Sequence, residues 1–170
     1  MAATYIPIAS TTLTGNQAVV TFSAIPQTYT DLIVKCSIRS SVNSANITAI
    51  ITFNASGASN YSRVNLRGDG TAAASGINSN QSAINVPNAI GGGASVTANT
   101  FNNMEIYIPN YTASANKPVS VYVANENNST TAYLVAQASL FRDSTAISSI
   151  ELEVNAASGS TFHLYGISNT

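Results

Sequence analysis

The sequence predicts an all-β protein, an antiparallel β-sandwich of about eight to ten strands, with a jelly roll as the leading topology. Three observations support this prediction. Apolar and polar residues alternate with a period of two along most of the chain, as they do in half-buried strands. Turn-forming Gly, Asn and Asp residues separate the alternating segments. The many Asn, Ser and Thr residues disfavour helices, because their side chains compete for backbone hydrogen bonds.

The clearest strand is predicted at 31–39, where Leu32, Val34, Cys36 and Ile38 share one face. The same alternation predicts half-buried strands at 104–108, 119–123 and 150–154. The segment 132–141 is apolar on both faces, so we expect a central strand that is covered on two sides. Weaker alternation predicts further strands at 5–9, 18–23, 47–53, 61–66 and 161–167, with turns at 14–16, 56–57, 68–70, 125–128 and 158–159.

One region breaks the alternation. Residues 71–99 are mostly Ala, Ser, Asn and Gly, and we expect a long loop at about this position within a single domain spanning 1–170. Such a loop could lie flat against a neighbouring chain because its side chains are small. It could equally be a disordered surface excursion.

The composition is poor in charge. Only 8% of the 170 residues are charged and the net charge is −1, whereas 61 residues are Asn, Ser or Thr. We therefore expect no nucleic-acid partner and no membrane partner, since both favour clustered Lys and Arg. Disorder is also disfavoured, because 45% of the residues are hydrophobic.

The N-terminal sequence MAATYIPIAS has no basic segment followed by a long apolar segment, so we expect no signal peptide and synthesis in a host cytoplasm. No apolar run approaches the length that crosses a bilayer. With Cys36 as the single cysteine, neither an intramolecular disulfide nor a cysteine-rich zinc site can form.

Two residues are candidates for nucleophilic chemistry. His163 is the single possible imidazole base, but no Gly-x-Ser-x-Gly motif surrounds any serine. Cys36 alternates with core positions and is interpreted as a small buried hydrophobe. A Cys–His pair would require Cys36 to be exposed beside His163, so we interpret His163 as a surface or interface residue.

Glu151 and Glu153 are the candidate carboxylate pair, about 7 Å apart on one strand. A glycosidase needs two carboxylates across a cleft, with one pKa raised by burial. We interpret these two as solvated strand residues, and no acidic cluster has the spacing of a calcium loop. The sequence thus predicts no catalytic residues, no metal site and no cofactor.

Short polar motifs are explained by turns and composition. Arg67-Gly68-Asp69 matches a cell-adhesion tripeptide, but Gly68-Asp69-Gly70 is typical of a tight turn. Asn-x-Ser/Thr triplets follow from the composition and do not indicate glycosylation here; they start at Asn46, Asn54, Asn60, Asn80, Asn110 and Asn128.

Tyrosine outnumbers phenylalanine, and tryptophan is absent. Tyrosines on exposed strand faces suit either a protein interface or a platform for sugar stacking, because each offers contact area and a hydroxyl. The eight tyrosines are Tyr5, Tyr29, Tyr61, Tyr107, Tyr111, Tyr122, Tyr133 and Tyr165.

Several blocks, in the same order along the chain, resemble a family of small β-sandwich virion proteins of tailed bacteriophages, including cyanophages. The blocks are Tyr29-Thr30-Asp31-Leu32, Ile51-Thr52-Phe53-Asn54, Asn60-Tyr61-Ser62, Leu66-Arg67-Gly68-Asp69-Gly70, Glu105-Ile106-Tyr107-Ile108-Pro109-Asn110-Tyr111 and Leu164-Tyr165-Gly166-Ile167. The resemblance implies a non-enzymatic structural, tail or decoration protein located in the virion, with no catalytic motif to carry over.

From this resemblance and the composition we expect a capsid decoration, or cement, protein. It would bind the outside of the major capsid lattice, stabilise it, and act as a homo-oligomer. The alternative is a tail fibre or baseplate component that contacts other tail proteins and binds host-surface glycan. An enzyme acting on surface polysaccharide is a third class. The sequence identifies no binding residues for any of these partners.

Overall fold

A computed structural model describes residues 4–126, 128 and 131–168. The first three residues of the N-terminal segment, and residue 127 of the predicted turn at 125–128, lie outside this description. The described residues form twelve strands and one short 3-10 turn at Gly93–Ser95. The strands are β1 (Tyr5–Thr12), β2 (Gln17–Phe22), β3 (Asp31–Ile38), β4 (Ser44–Phe53), β5 (Tyr61–Gly68), β6 (Ala73–Gln81), β7 (Ile84–Gly92), β8 (Asn102–Ile108), β9 (Lys117–Asn125), β10 (Tyr133–Phe141), β11 (Ile150–Ala156) and β12 (Thr161–Ile167).

The strands form two antiparallel sheets, which confirms the predicted all-β sandwich. One sheet has eight strands in the order β1-β12-β3-β8-β9-β10-β5-β6, and the other has four in the order β2-β11-β4-β7. Ten of the twelve strands match those predicted from alternation, and they run to similar limits.

The strand order is that of a jelly roll carrying two inserted hairpins. Without β5–β6 and β9–β10, the sheets become β1-β12-β3-β8 and β2-β11-β4-β7, and successive strands alternate between the sheets except β4 and β7, which pair within one sheet. That is the double Greek-key connectivity of a jelly roll. The two hairpins add four strands, β9-β10-β5-β6, to one edge of the first sheet. Among the described residues, the second sheet has no corresponding additional strands.

The core lies between the two sheets and follows the predicted alternation. Leu32, Val34, Cys36 and Ile38 of β3 are buried, as are the alternate residues of β8, β9 and β11. An aromatic cluster joins the inserted strands to this core: Tyr61 stacks on Phe141 with ring centroids 4.9 Å apart, and Phe53 contacts Phe141 edge-on at 5.4 Å. The Phe53 amide also donates a hydrogen bond to the Tyr61 hydroxyl at 3.0 Å.

The expectation of a long loop at about 71–99 is wrong, because this region forms β6, β7 and the 3-10 turn. Strand β6 buries none of its residues, so it has no apolar alternation for a sequence to display. In β7 the alternation is broken at Asn88, which has φ 57°, and the pairing with β4 shifts register nearby. At the end of β7, a Cβ on Gly92 would lie 2.1 Å from the Ser40 carbonyl oxygen, so this close approach requires glycine.

The expectation that 132–141 is covered on both faces is also wrong. Strand β10 is central in its sheet, between β9 and β5. Its inward residues Val135 and Phe141 are buried, but Leu134 on the other face is 51% exposed. Two apolar faces in the sequence therefore correspond to one covered face and one open face.

Candidate interaction surface

The outer face of the inserted strands is an exposed apolar surface. Its larger side chains are between about half and four-fifths exposed: Val64 49%, Leu66 58%, Ile77 79%, Tyr122 50% and Leu134 51%. We call these five residues, with the small residues between them, the apolar face. The largest exposed apolar patch on a monomer is often functional.

The strand register explains how these residues come together. Leu66 of β5 lies opposite Ala136 of β10, and Ala136 lies opposite Tyr122 of β9. In the next row Val64 lies between Ile77 of β6 and Ala138 of β10. Small residues on β10 thus separate larger ones on β5 and β9, and they leave a shallow hollow that Glu105 and Tyr107 border at its far side.

The same face becomes polar towards the jelly-roll strands. Continuing the row, Tyr122 lies opposite Glu105, Glu105 opposite Lys35 and Lys35 opposite His163. The Lys35 ammonium is 3.0 Å from the Glu105 carboxylate, and both side chains are about half exposed, so water and salt screen this ion pair. The pKa of Lys35 is raised, chiefly by its hydrogen bond to Glu105.

The two candidates for nucleophilic chemistry lie on opposite faces of the sheet. Cys36 is buried in the core, and this burial raises the pKa of its thiol. His163 is half-buried on the outer face, where its ring stacks on Tyr165 at a centroid distance of 6.3 Å. The interpretation of Cys36 as a buried hydrophobe is confirmed, and the fold does not bring the two side chains together.

Glu151 and Glu153 lie on the outer face of the four-stranded sheet, as their alternation predicts. Glu153 is exposed and Glu151 is partly exposed, accepting a 3.3 Å hydrogen bond from the Thr52 hydroxyl. Their cross-strand neighbours are Thr21 and Val19 on one side, and Thr52 and Ile50 on the other. Among the described residues, no group of three or more His, Cys, Asp or Glu side chains is placed to hold a metal ion.

The predicted turn at Gly68-Asp69-Gly70 is confirmed as the connection between β5 and β6. The Asp69 carboxylate accepts hydrogen bonds from the Thr71 amide at 2.9 Å, the Ala72 amide at 2.8 Å and the Thr71 hydroxyl at 2.8 Å. These bonds lower the pKa of Asp69 to about 2, the Ala72 amide contributing most. In the Arg67-Gly68-Asp69 tripeptide, the carboxylate is therefore a part of the turn.

Asparagines from the predicted triplets take structural positions as well. The Asn54 side-chain oxygen accepts hydrogen bonds from the Ser148 and Ser149 amides, and Asn80 accepts one from Arg142. The triplet that begins at Asn128 includes residues 129 and 130, which lie outside the described part of the chain.

The tyrosines divide between core and surface. Tyr61 and Tyr111 are fully buried, whereas Tyr5 and Tyr122 are about half exposed. Of these four, Tyr122 lies on the apolar face. The prediction of exposed strand tyrosines therefore applies to some of them and not to all.

Several buried polar residues were not singled out in the sequence, among them Asn102, Asn125 and Lys117, which share the phase of neighbouring core residues. Asn102 accepts a hydrogen bond from the Gly91 amide and donates one to Asn125, each at 2.7 Å. The Lys117 ammonium donates to the carbonyls of Asp143 at 2.9 Å and Thr145 at 2.6 Å. A polar residue at a strand position that alternates with buried valines or methionines on the same face is the sequence signal that could have identified these residues.

Comparison with protein-family models, with curated proteins and with solved structures finds no match. Among the described residues, none belongs to a helix with the length and apolar character needed to span a bilayer.

Proposed function

We propose that this chain is a non-enzymatic structural protein of a tailed-phage virion, a capsid decoration protein that binds the outside of the major capsid lattice and stabilises it. The observation that carries the proposal is the apolar face, which the two inserted hairpins add to one edge of the jelly roll. Together with the sequence resemblance, it favours assembly as the role of this surface.

The electrostatics of the face suit a repeating lattice. None of its five large residues is charged, so contacts through it depend little on ionic strength. Each contact buries a modest apolar area, but many copies bound to one particle stabilise it collectively. A decoration protein would then raise the temperature at which the particle opens, by binding the assembled state in preference to the open one.

The test places charge on the apolar face. The variant Leu66→Asp, Leu134→Asp is mixed with phage particles that lack this protein, and bound copies are counted by quantitative mass spectrometry. We expect at least a tenfold loss of binding, and particles that open at the lower temperature of undecorated ones. The matched control is Val19→Asp, since Val19 is 38% exposed on the outer face of the other sheet. Unchanged occupancy of the double variant would contradict the proposal.

The alternative is a tail fibre or baseplate component that binds host-surface glycan. The observation that favours it is the half-exposed Tyr122 beside Glu105, since an aromatic ring with a nearby hydrogen-bond acceptor is a common arrangement for sugar. Copy number separates the two proposals: hundreds of copies per virion indicate the capsid, and about a dozen or fewer indicate the tail. Saturable binding to host polysaccharide that Tyr122→Ala abolishes would support the tail function.

A further inference from the structure

The outermost strand of the large sheet has one open edge. Strand β6 pairs with β5 on one side and, among the described residues, with no strand on the other. Its nine residues, Ala73–Gln81, include no charged residue and no proline. Charges and prolines are the features by which proteins commonly prevent an edge strand from pairing with another chain.

The backbone groups on this open edge can be assigned from the ladder. Residues facing each other across an antiparallel pair alternate between hydrogen-bonded and non-hydrogen-bonded positions. The Asp69 amide donates to the Ala72 carbonyl at the start of the β5–β6 ladder, so Ala74 and Gly76 direct their backbone groups towards β5. Ala73, Ser75 and Ile77 therefore direct theirs outward.

The other three edge strands carry features that disfavour pairing. Strand β1 contains Pro7 and a register shift beside it, and β7 contains Pro87 next to Asn88 with its left-handed backbone. In β2 the Gln17 side chain donates to the Val19 carbonyl at 2.8 Å, so that the strand bonds to itself. Strand β6 has comparable features only at its end, where Asn80 has a left-handed backbone and the Gln81 side chain donates to the Ser79 carbonyl at 3.0 Å; from residue 73 to residue 78 it is regular.

We propose that β6 pairs with β6 of a second copy of this chain, antiparallel and about a two-fold axis at Ser75. This register uses all three outward residues: Ser75 faces Ser75 of the second copy, and Ala73 faces Ile77 in both directions. Each opposed pair exchanges two backbone hydrogen bonds. The large Ile77 side chain lies against a small alanine, and the two eight-stranded sheets become continuous.

Charge favours a second copy of this chain over a charged partner strand. An isologous contact places the same residues close together on both sides, and β6 has no charge that would repel itself. Near its first residue lies Asp69, and near its last lies Arg142, which donates to Asn80 at 3.0 Å. Antiparallel pairing brings the acidic end of one copy towards the basic end of the other. Arg67 belongs to β5 and faces inward, on the side opposite to the apolar face.

The first test is the oligomeric state of the full chain by analytical ultracentrifugation at about 0.1 mM. We expect a dimer for the parent protein. Ser75→Lys and Ser75→Glu should each weaken dimerisation at least tenfold, because like charges then face each other across the axis, and a 1:1 mixture of the two should restore a dimer. Leu134→Lys, on the apolar face two strands away, should remain dimeric.

The second test is disulfide cross-linking with oxidised glutathione, which accepts the two electrons released by two thiols. Cα atoms of a hydrogen-bonded antiparallel pair are about 5.5 Å apart, a distance that a disulfide spans. Ser75→Cys should form a covalent dimer, whereas Ile77→Cys should not, because in this register residue 77 faces Ala73. The native Cys36 is buried and does not interfere.

Three results would overturn the proposal: a monomeric parent protein at that concentration, a dimer that Ser75→Lys leaves intact, or a dimer that only Leu134→Lys dissociates. The last would indicate packing through the apolar face. These experiments use the isolated chain, so they succeed or fail independently of the proposed virion function. Circular dichroism of each variant checks that it is folded.

Discussion

The Tyr107 hydroxyl donates a 2.7 Å hydrogen bond to the carboxylate of Asp31. The other carboxylate oxygen accepts the Asn110 amide at 2.8 Å, so that one buried acid ties the start of β3 to the end of β8. Nearby, the Thr30 amide donates to the Ile167 carbonyl at 2.8 Å. Three of the sequence blocks that resemble virion proteins therefore meet at one end of the large sheet, where hydrogen bonds connect them.

We predict that Tyr107→Phe lowers the free energy of unfolding by about 1 kcal/mol, since it removes one hydrogen bond to a carboxylate that keeps another. Asp31→Ala should cost about 2–3 kcal/mol, because it leaves both donors without their acceptor. The control is Tyr122→Phe, whose hydroxyl has no hydrogen-bond partner among the described residues, and which should be close to neutral. Urea denaturation measures all three, and equal effects of the two tyrosine variants would contradict this account.

Gly166 lies directly against the ring of Tyr29. A Cβ at this position would be 2.3 Å from the Tyr29 ring, which is closer than packed atoms can approach. We predict that Gly166→Ala costs about 3 kcal/mol or more, or prevents folding. Gly57→Ala is the matched control, because a Cβ there meets nothing within 4 Å and should change stability by less than about 0.5 kcal/mol.

A second variant tests the cause of that effect. Adding Tyr29→Ala to Gly166→Ala removes the ring that the new methyl group meets. The double variant should therefore lose less free energy of unfolding than the sum of the losses of the two single variants. Thermal unfolding of the single and double variants measures this coupling. Simple additivity would show that the contact between Gly166 and Tyr29 is not responsible.

Lys117 is a buried lysine, 1% exposed, whose ammonium donates only to backbone carbonyls among the described residues. Burial lowers its pKa, with Asp143 acting in the opposite direction. We predict that Lys117→Ala costs about 3 kcal/mol, because it removes two charge-assisted hydrogen bonds and leaves a cavity. Lys117→Met should cost less, since methionine refills the volume of the side-chain stem.

The matched control for Lys117 is Lys35→Met on β3. Lys35 pairs with Glu105 at the surface and is about half exposed, so its replacement should change stability by less than about 0.5 kcal/mol. Equal losses at the two positions, measured by denaturant unfolding, would refute the importance of burial at Lys117.

Stability should fall in alkaline solution. The pKa values of Tyr61 and Tyr111 are raised mainly by burial, and that of Tyr107 mainly by its hydrogen bond to Asp31. A raised pKa in the folded state means that the unfolded chain ionises first, at about pH 10, and holds fewer protons above that pH. The contribution of these tyrosines to the free energy of unfolding is therefore fully present below about pH 10. It is lost as the pH rises through their pKa values in the folded state.

Tyr111→Phe tests this pH dependence. The free energy of unfolding of the parent should decrease between about pH 9 and pH 11, and the variant should show a smaller decrease. The lowered pKa of Lys117 acts in the opposite direction, so the informative quantity is the difference between variant and parent. Identical pH profiles would contradict the assignment.

Alternation predicted strands wherever one face of the strand meets the core and the other meets water. In β3, β8, β9 and β11 it gave both the strand and the residues that face inward. It failed for β6, whose residues are all at least partly exposed, and for β7, whose phase changes at Asn88. Periodicity alone could not have predicted either strand, because neither has the regular alternation of buried apolar and exposed polar residues on which such a prediction depends.

The candidate surface was only partly predictable. The sequence showed that 132–141 has two apolar faces. The sequence pattern of an apolar face is the same whether that face is buried within the same chain or against another one. In the structure the four-stranded sheet packs on the inner face of β10, where Val135 is buried, and Leu134 on the outer face remains 51% exposed. Ile77 on β6 joins this face through a pairing with β5 that no local pattern revealed.

The sequence by itself determined the sandwich, the inward face of most strands, the turn at Asp69 and the scarcity of charge, because these depend on local backbone preferences and on composition. Only the tertiary structure decided that the hairpins β5–β6 and β9–β10 extend one sheet beyond the other, and that their outer face and the β6 edge stay uncovered. Those features depend on which strands pair across large separations in the chain, and no single segment encodes that pairing.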